Sequence, residues 1–325
     1  MRTGSDRLVA VDLGGTLTKV AHAYADGTTT PPSRLATVVV EGQVSVEWLG
    51  GVLAEAARAR PTEPCLGYAV VVPGVIDLAA GVVRAATNLG WYDLPLRERL
   101  DALTGLTVGV VAHDVRSGGL AEWRLGAGRG ATNLLFLPLG TGIAGAMVVD
   151  GQLLDADGYA GEIGHLPVRA GGDRACDCGQ RGCLETVASA TGVVRSYRSA
   201  AGGVELDARQ VGDLARAGDP DARGAFDLAV QGLTEALHAY ATLLGPETVV
   251  VGGGLAGSFD LIGPPVEAAL AGRLTFQRAP RLLPGSLGAD AGVVGAGLVG
   301  WDHVRQQRAG MQQDLRQQDR GEEER

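Results

Sequence analysis

The sequence predicts a two-domain α/β protein built on a duplicated unit, and three observations carry that reading. At 325 residues the chain exceeds the usual size of one hydrophobic core. Apolar residues make up 46% of it, enough to fill two cores. A strand, a glycine turn, a second strand and an Asp-Gly turn occur twice, the first turn at Gly14 and its counterpart at Gly140, 126 residues on. That interval is too long for a solenoid period and points to a repeated domain.

The elements follow in order. Leu8–Leu13 is an apolar run ending in Gly14-Gly15, and Leu17–Tyr24 is a strand closed by the hairpin dipeptide Asp26-Gly27. A third strand, Ala36–Val40, precedes a helical stretch over Val44–Arg60. Leu66–Val72 and Thr107–Ala112 read as buried strands, and Asp114 opens a helix to about Leu125. After the glycine-rich segment Gly126–Gly130 the pattern restarts. Leu134–Leu139 ends in Gly140-Thr141-Gly142, and Ile143–Val149 ends in Asp150-Gly151. Asp219-Pro220 starts a helix whose apolar stripe is Phe226, Val230, Leu233, Leu237, Tyr240 and Leu244, stopped by Gly245-Pro246. Thr248–Val251 is a buried strand entering Gly252-Gly253-Gly254, Ser258 opens another helix, and a last one spans about Asp290–Val304.

The reading therefore divides the chain into a smaller domain over 1–125, with helix 290–305 packing on it, and a larger one over 126–289. Residues 306–325 are polar and lack an apolar face, which predicts a disordered tail.

Lys and Arg total 28 against 37 Asp and Glu, a formal charge of −9 that gains little from counterion release and argues against a nucleic-acid partner. No apolar run reaches the roughly 20 residues that span a bilayer, and the N-terminal run is too short for a signal peptide. A cytoplasmic protein without a membrane partner is expected.

Asp12-Leu13-Gly14-Gly15-Thr16 and Leu139-Gly140-Thr141-Gly142 are turns whose glycines let backbone N–H groups approach phosphate oxygens, with hydroxyls from Thr16 and Thr141. Asp12 can order Mg²⁺ through its waters. No G-x-x-x-x-G-K-[ST] occurs, and no G-x-G-x-x-G lies between a strand and a helix, so neither common nucleotide fingerprint applies. Lys19 reads as a solvated edge residue. Cys176, Cys178 and Cys183 give C-x-C-x₄-C, with His165 eleven residues earlier. Three thiolates and one imidazole make a closed Cys₃His zinc site. Cys65 stands apart and reads as a buried thiol.

DLGGT (12–16), NLGW (88–91), HDVRSGGLAEWRLGAGRG (113–130), LGTGIAGA (139–146), GEIGH (161–165), CDCGQRGCLE (176–185) and VVVGGGLAG (249–257) together resemble the motifs of the ROK family (repressors, open reading frames and kinases). The resemblance runs from Asp12 to about Gly257. It implies a two-domain, actin-like, hexokinase-type (ribonuclease H-like) ATPase fold with an interdomain cleft. It implies an ATP- and Mg²⁺-dependent kinase of a hexose, glucokinase-like, or of N-acetylglucosamine or N-acetylmannosamine, and a homodimer or homotetramer. By matched positions Asp114 is the catalytic base. Asn88, His113, Asp114, Glu162, His165 and Glu185 contact the sugar, His165 serving zinc with its other ring nitrogen. Asp12, Gly14, Gly15, Thr16, Gly140, Thr141, Gly142, Gly252, Gly253, Gly254 and Leu255 contact ATP. The family also contains sugar-responsive repressors with a DNA-binding domain ahead of the sugar domain; only eleven residues precede Asp12 here, which favours the enzyme. One departure stands inside the motif: the family has Asn before the catalytic Asp, and this chain has His113.

Overall fold

The computed structural model describes residues 6–106 and 108–323, with the side chains of the last helix only through 312. Thr107, at the head of an expected strand, lies outside the described residues. The chain resolves into one unit of residues 1–117 and 292–325 and a second of residues 118–291.

In the first unit, β1 (Arg7–Leu13) and β2 (Leu17–Tyr24) form the expected pair around the glycine turn. β3 (Ser33–Ala36), the short ribbon β4 (Val39–Val40) and β5 (Gln43–Val44), and α1 (Val46–Arg58) follow. β6 is Cys65–Val72; a small sheet of β7 (Val75–Asp77), β8 (Val82–Ala86) and β9 (Trp91–Leu94) leads to α2 (Leu96–Thr104), β10 (Gly109–His113) and α3 (Asp114–Arg124). The main sheet has the order β10-β6-β1-β2-β3, parallel from β10 to β1 and antiparallel beyond. Alternation along β1 divides its side chains between two cores. Val9, Val11 and Leu13 pack with Leu49 and Leu53 of α1 and Leu96 and Leu100 of α2. Leu8 and Ala10 pack with Val293, Ala296, Trp301 and Val304 of α9 (Ala291–Glu323).

The second unit repeats the topology. β11 (Leu134–Pro138), β12 (Ala146–Val149) and β13 (Gln152–Leu153) are followed by α4 (Glu185–Ala188), α5 (Ala190–Ala200), α6 (Ala208–Ala217) and α7 (Pro220–Leu244). β14 (Thr248–Gly252), α8 (Phe259–Ala271) and β15 (Arg281–Pro284) complete it. The sheet order β13-β12-β11-β14-β15 reproduces β3-β2-β1-β6-β10, with antiparallel and parallel pairings in the same places. The actin-like expectation requires this repetition. Phe226, Leu233, Leu237 and Tyr240 of the α7 stripe pack against Leu135, Leu137, Val249 and Val251 of the sheet.

Two boundaries differ from the sequence reading. The units divide at Ser117/Gly118, inside α3, rather than after residue 125. The cause is Gly119, where a Cβ would stand 2.3 Å from Ala146 Cβ: the rest of the helix lies close against β11 and β12. The expected disordered tail from residue 306 is helical to Glu323. Its run of Gln, Arg, Glu, Leu and Met is made of good helix formers and simply continues α9.

Candidate active site

In the first unit the turn after β1 is closed by Gly14 N–H donating to Leu17 O (3.1 Å). Thr37 braces it, its hydroxyl donating to Gly14 O at 2.7 Å and its N–H to Thr16 O at 3.0 Å. A Cβ on Gly15 would stand 3.0 Å from the carbonyl oxygen of Asn88, so the NLGW turn lies against the loop. The Asn88 residue itself is exposed. Asp12 Oδ2 pairs with Lys19 Nζ at 3.0 Å, with the two side chains 17% and 15% exposed. Lys19 is therefore an ion-pair partner of the phosphate-loop carboxylate and not a solvated edge residue. A residue the sequence reading missed is Gly292, in the first turn of α9: a Cβ there would come within 2.6 Å of Asp12 Oδ2. Glycine lets the positive end of that helix approach the carboxylate.

Asp114 follows β10 directly. Its Oδ1 accepts from Val115 N–H at 2.6 Å, and its side chain keeps 29% of its surface. Burial still raises its pKa above the ordinary aspartate value, more than the Val115 N–H, Arg116 and Lys19 lower it. Asp114 opens α3, as the sequence suggested, and is its first residue rather than its cap. The cap is His113, whose Nδ1 accepts from Val115 N–H (3.1 Å) and Arg116 N–H (3.4 Å).

In the second unit Leu139–Ile143 forms the counterpart loop. Gly140 N–H donates to Gly142 O at 3.1 Å and closes it. Glu185, first residue of α4, sends Oε2 to Ile143 N–H at 2.8 Å, and a Cβ on Gly142 would stand 2.5 Å from that oxygen. The GEIGH segment grips the same stretch, with Gly145 N–H donating to Gly161 O at 2.7 Å. Cβ atoms on Gly161 or Gly164 would fall 2.0 Å from the carbonyl oxygens of Gly145 and Ile143. Glu162 is exposed, and its Oε2 lies 3.8 Å from His165 Nε2.

Gly252 and Leu255, expected near the nucleotide, sit on the buried side of the loop after β14. Gly252 O accepts Leu139 N–H at 2.9 Å at the buried end of β14. Leu255 is 1% exposed in the core, and its N–H donates to Leu139 O at 3.0 Å. Gly253 packs on Leu139, 2.6 Å from where its Cβ would be, while Gly254 has open space around it. A cavity of about 170 Å³ beside the loop is lined by Thr141, Gly142, Asp177, Glu185, Thr191 and Arg195 among others. Hydroxyls, a guanidinium and the start of α5 suit an anionic or hydroxyl-rich group. Thr191 and Arg195 escaped the sequence reading; the signal was Ser189, which caps α5 by accepting from Gly192 N–H.

The cysteine cluster assembles as expected. One ligand atom each of His165, Cys176, Cys178 and Cys183 lie within 4.8 Å of one another. His165 Nδ1 is 3.6 Å from Cys176 Sγ, and Cys178 Sγ is 3.7 Å from Cys183 Sγ. Zn–S bonds of about 2.3 Å and a Zn–N bond of about 2.0 Å put tetrahedral ligand atoms about 3.6–3.8 Å apart, so these residues fit zinc. Burial pushes the Cys176 thiol up and the Cys183 thiol up to about 12, while the Gln180 N–H holds Cys178 below the ordinary thiol value. Zinc would bind the thiolates and release their protons. Nδ1 faces the thiols and Nε2 faces Glu162. Cys65 is half-buried at the start of β6, Sγ donating to Gly67 O.

The ROK family model matches residues 8–300. The chain belongs to the ROK family. It is 33% identical to a glucokinase of Halalkalibacterium halodurans over 95% of this chain and 98% of that one. Among solved structures it resembles a ROK hexokinase from Thermus thermophilus, at 33% identity and a TM-score of 0.77 over 92% of this chain and 99% of that one. It also resembles a ROK family glucokinase from Streptomyces griseus in complex with glucose and AMPPNP, at 26% identity and a TM-score of 0.75 over 90% and 98% of the two chains. Among the described residues, no helix is long and apolar enough to cross a membrane.

Proposed function

We propose that this ROK protein is an ATP-dependent sugar kinase that transfers the γ-phosphoryl group of Mg·ATP to a hydroxyl of a hexose, with glucose as the first substrate. The observation that carries the reading is Asp114: a carboxylate at a helix start whose proton affinity is raised by burial, in the unit that also holds the glycine loop and the Asp12–Lys19 pair. The glucokinase and hexokinase names of the relatives, and the glucose and AMPPNP of one of them, support the substrates.

In this reading Asp114 orients the attacking hydroxyl and takes its proton late, as a loose phosphoryl-transfer transition state allows. Raised basicity makes it a better acceptor. Gly14 and Gly140 spend their N–H groups closing the turns. Phosphate contacts therefore fall to Gly15, Thr16, Thr141 and Gly142. Asp12 orders the waters of Mg²⁺, exchanging part of its pairing with Lys19. Asn88, Glu162, His165 Nε2 and Glu185 hold sugar hydroxyls, carboxylates accepting and the imidazole or carboxamide donating. Zinc held by His165, Cys176, Cys178 and Cys183 supplies structure only, fixing the His165 ring and the loop that ends at Glu185. The family also carries the expectation of a homodimer or homotetramer, which sedimentation checks.

The test is ADP release with ATP, Mg²⁺ and a panel of glucose, mannose, N-acetylglucosamine and N-acetylmannosamine. Glucose-dependent turnover supports the proposal. Sugar binding by calorimetry without turnover on any member of the panel refutes the kinase.

A further inference from the structure

We propose that His113 is a positioning residue for Asp114: it caps α3 through Nδ1 as the neutral tautomer protonated on Nε2, and so keeps the neighbouring carboxylate a proton acceptor. This rests on the reading of Asp114 as the base.

The N-cap residue takes an N–H of the second or third helical residue on its side chain, and Ser, Thr, Asp or Asn ordinarily supplies the oxygen. With Asp114 as first residue of α3, Val115 and Arg116 are the second and third, and both point their N–H groups at His113 Nδ1, at 3.1 and 3.4 Å. A ring nitrogen that accepts from N–H groups carries no proton, so the proton of the neutral ring sits on Nε2. The ring is nearly buried, 11% exposed, which holds it in this orientation.

Asp114 Oδ1 lies 3.3 Å from His113 Nδ1 and shares the Val115 N–H, accepting at 2.6 Å. Two acceptors sharing one donor leave the carboxylate without a proton from the ring. The other protonation pattern has a different outcome. A proton on Nδ1 would point at Asp114 Oδ1, pair with the base and displace the Val115 and Arg116 N–H groups from their acceptor. The base would lose basicity and the helix start its cap in one event. His113 thus gives α3 an acceptor at the N-cap by a ring nitrogen in one of its two tautomers. Its Nδ1 is taken up by the helix start and accepts nothing from a sugar.

The experiment uses the full chain labelled with ¹⁵N-histidine, with His113 assigned by loss of its signals in His113→Asn. Long-range ¹H–¹⁵N correlation at neutral pH is expected to show Nδ1 unprotonated and Nε2 protonated; a protonated Nδ1 overturns the proposal. Kinetics give the second readout. His113→Asn restores an acceptor and is expected to hold kcat within about threefold. His113→Leu has similar bulk and no acceptor, and is expected to lose kcat roughly tenfold with little change in sugar KM, as a misplaced base would. A Leu variant that keeps kcat and raises only KM makes the ring a sugar contact and overturns the positioning role. If the Leu variant does not fold, the tautomer spectrum still decides. The base reading fails separately, through an Asp114→Asn enzyme that retains turnover, whereas the spectrum is read without turnover.

Discussion

Replacing Asp114 with Asn tests the central assignment in two directions at once. Asn keeps an Oδ1 to accept the Val115 N–H now held at 2.6 Å, so the start of α3 survives. Proton acceptance is lost, and general-base removal ordinarily lowers turnover by about 10²–10⁴-fold, roughly 2.7–5.5 kcal/mol on the barrier. Stability should move the other way. Burial raises the Asp114 pKa, so the folded protein prefers this group protonated. Stability from a raised pKa is fully present below the unfolded value, about 3.9, and is lost as pH rises through the folded one. At neutral pH the ionised carboxylate is thus a net cost that Asn removes. The expected result is a variant with kcat down at least about 100-fold, glucose affinity kept and a higher Tm at neutral pH. The gain in Tm should shrink as pH falls through the aspartate range, over which wild-type kcat/KM also falls. Coupled ADP assays, glucose calorimetry and differential scanning calorimetry at two pH values measure all three. Retained turnover, or a Tm that falls at neutral pH, would show the reasoning about this carboxylate to be wrong.

Cys178→Ser should lower zinc content, urea midpoint and sugar affinity together, since the knuckle holds His165 as well as the metal; fully active wild-type protein free of zinc by elemental analysis sinks the site. Glu185→Gln should raise the KM of both sugar and ATP by about 3–10-fold, the effect of one weakened charge-assisted bond to Ile143 N–H; a change confined to the sugar would separate Glu185 from the loop. Glu122, 1% exposed, accepts from Ala127 N–H, the Ser286 N–H and hydroxyl, and Leu287 N–H. Glu122→Gln should cost about 2 kcal/mol in urea unfolding, and a loss under about 0.5 kcal/mol, the size of an ordinary surface change, would mean that those contacts are weak.

The parts of the fold legible in the sequence were those with strong periodicity or punctuation. The β1 and β11 runs with their glycine turns, and the α7 stripe between Asp219 and Gly245, announce themselves because each pattern has one structural solution. The three short strands β7, β8 and β9 were not foreseen, since runs of 3–5 residues carry too little alternation. Arg7, beside the first apolar run, gives no sign of burial in the sequence, yet it is fully buried, its guanidinium donating to Ala57 O and Arg60 O at the end of α1. Spacing alone pointed to the His/Cys cluster, because cysteine is so rare here that three within eight residues need a reason. Spacing could not reveal that His113 rather than Asp114 caps α3. That depends on a ring rotamer, and histidine is not among the residues that signal a cap. The burial of Leu255 was hidden for a related reason: the glycines beside it mark a loop, but the residue after them turns back into the core.

Why the second unit needs so many glycines at its site follows from the same distances. Ile143 to Gly145 is a short seam gripped from two sides. On one, Gly161 and Gly164 bring the backbone carrying Glu162 and His165 so close that a Cβ would overlap the carbonyls of Gly145 and Ile143. On the other, Glu185 takes the Ile143 N–H, and Leu184 N–H bonds back to Leu166 O at 2.9 Å. His165 and Cys183, flanking Leu166 and Leu184, belong to the His/Cys cluster, so a metal held there would clamp the two segments that carry the proposed sugar-binding groups. Side chains on this seam would push those groups off by ångströms, which a hydroxyl-reading site does not tolerate. The zinc knuckle, the second glycine loop and the acidic residues read separately in the sequence thus form one mechanical piece. A ligand that tightens Glu185 therefore also tightens the loop at Ile143, and the expected joint response of sugar and ATP to Glu185→Gln follows from that connection.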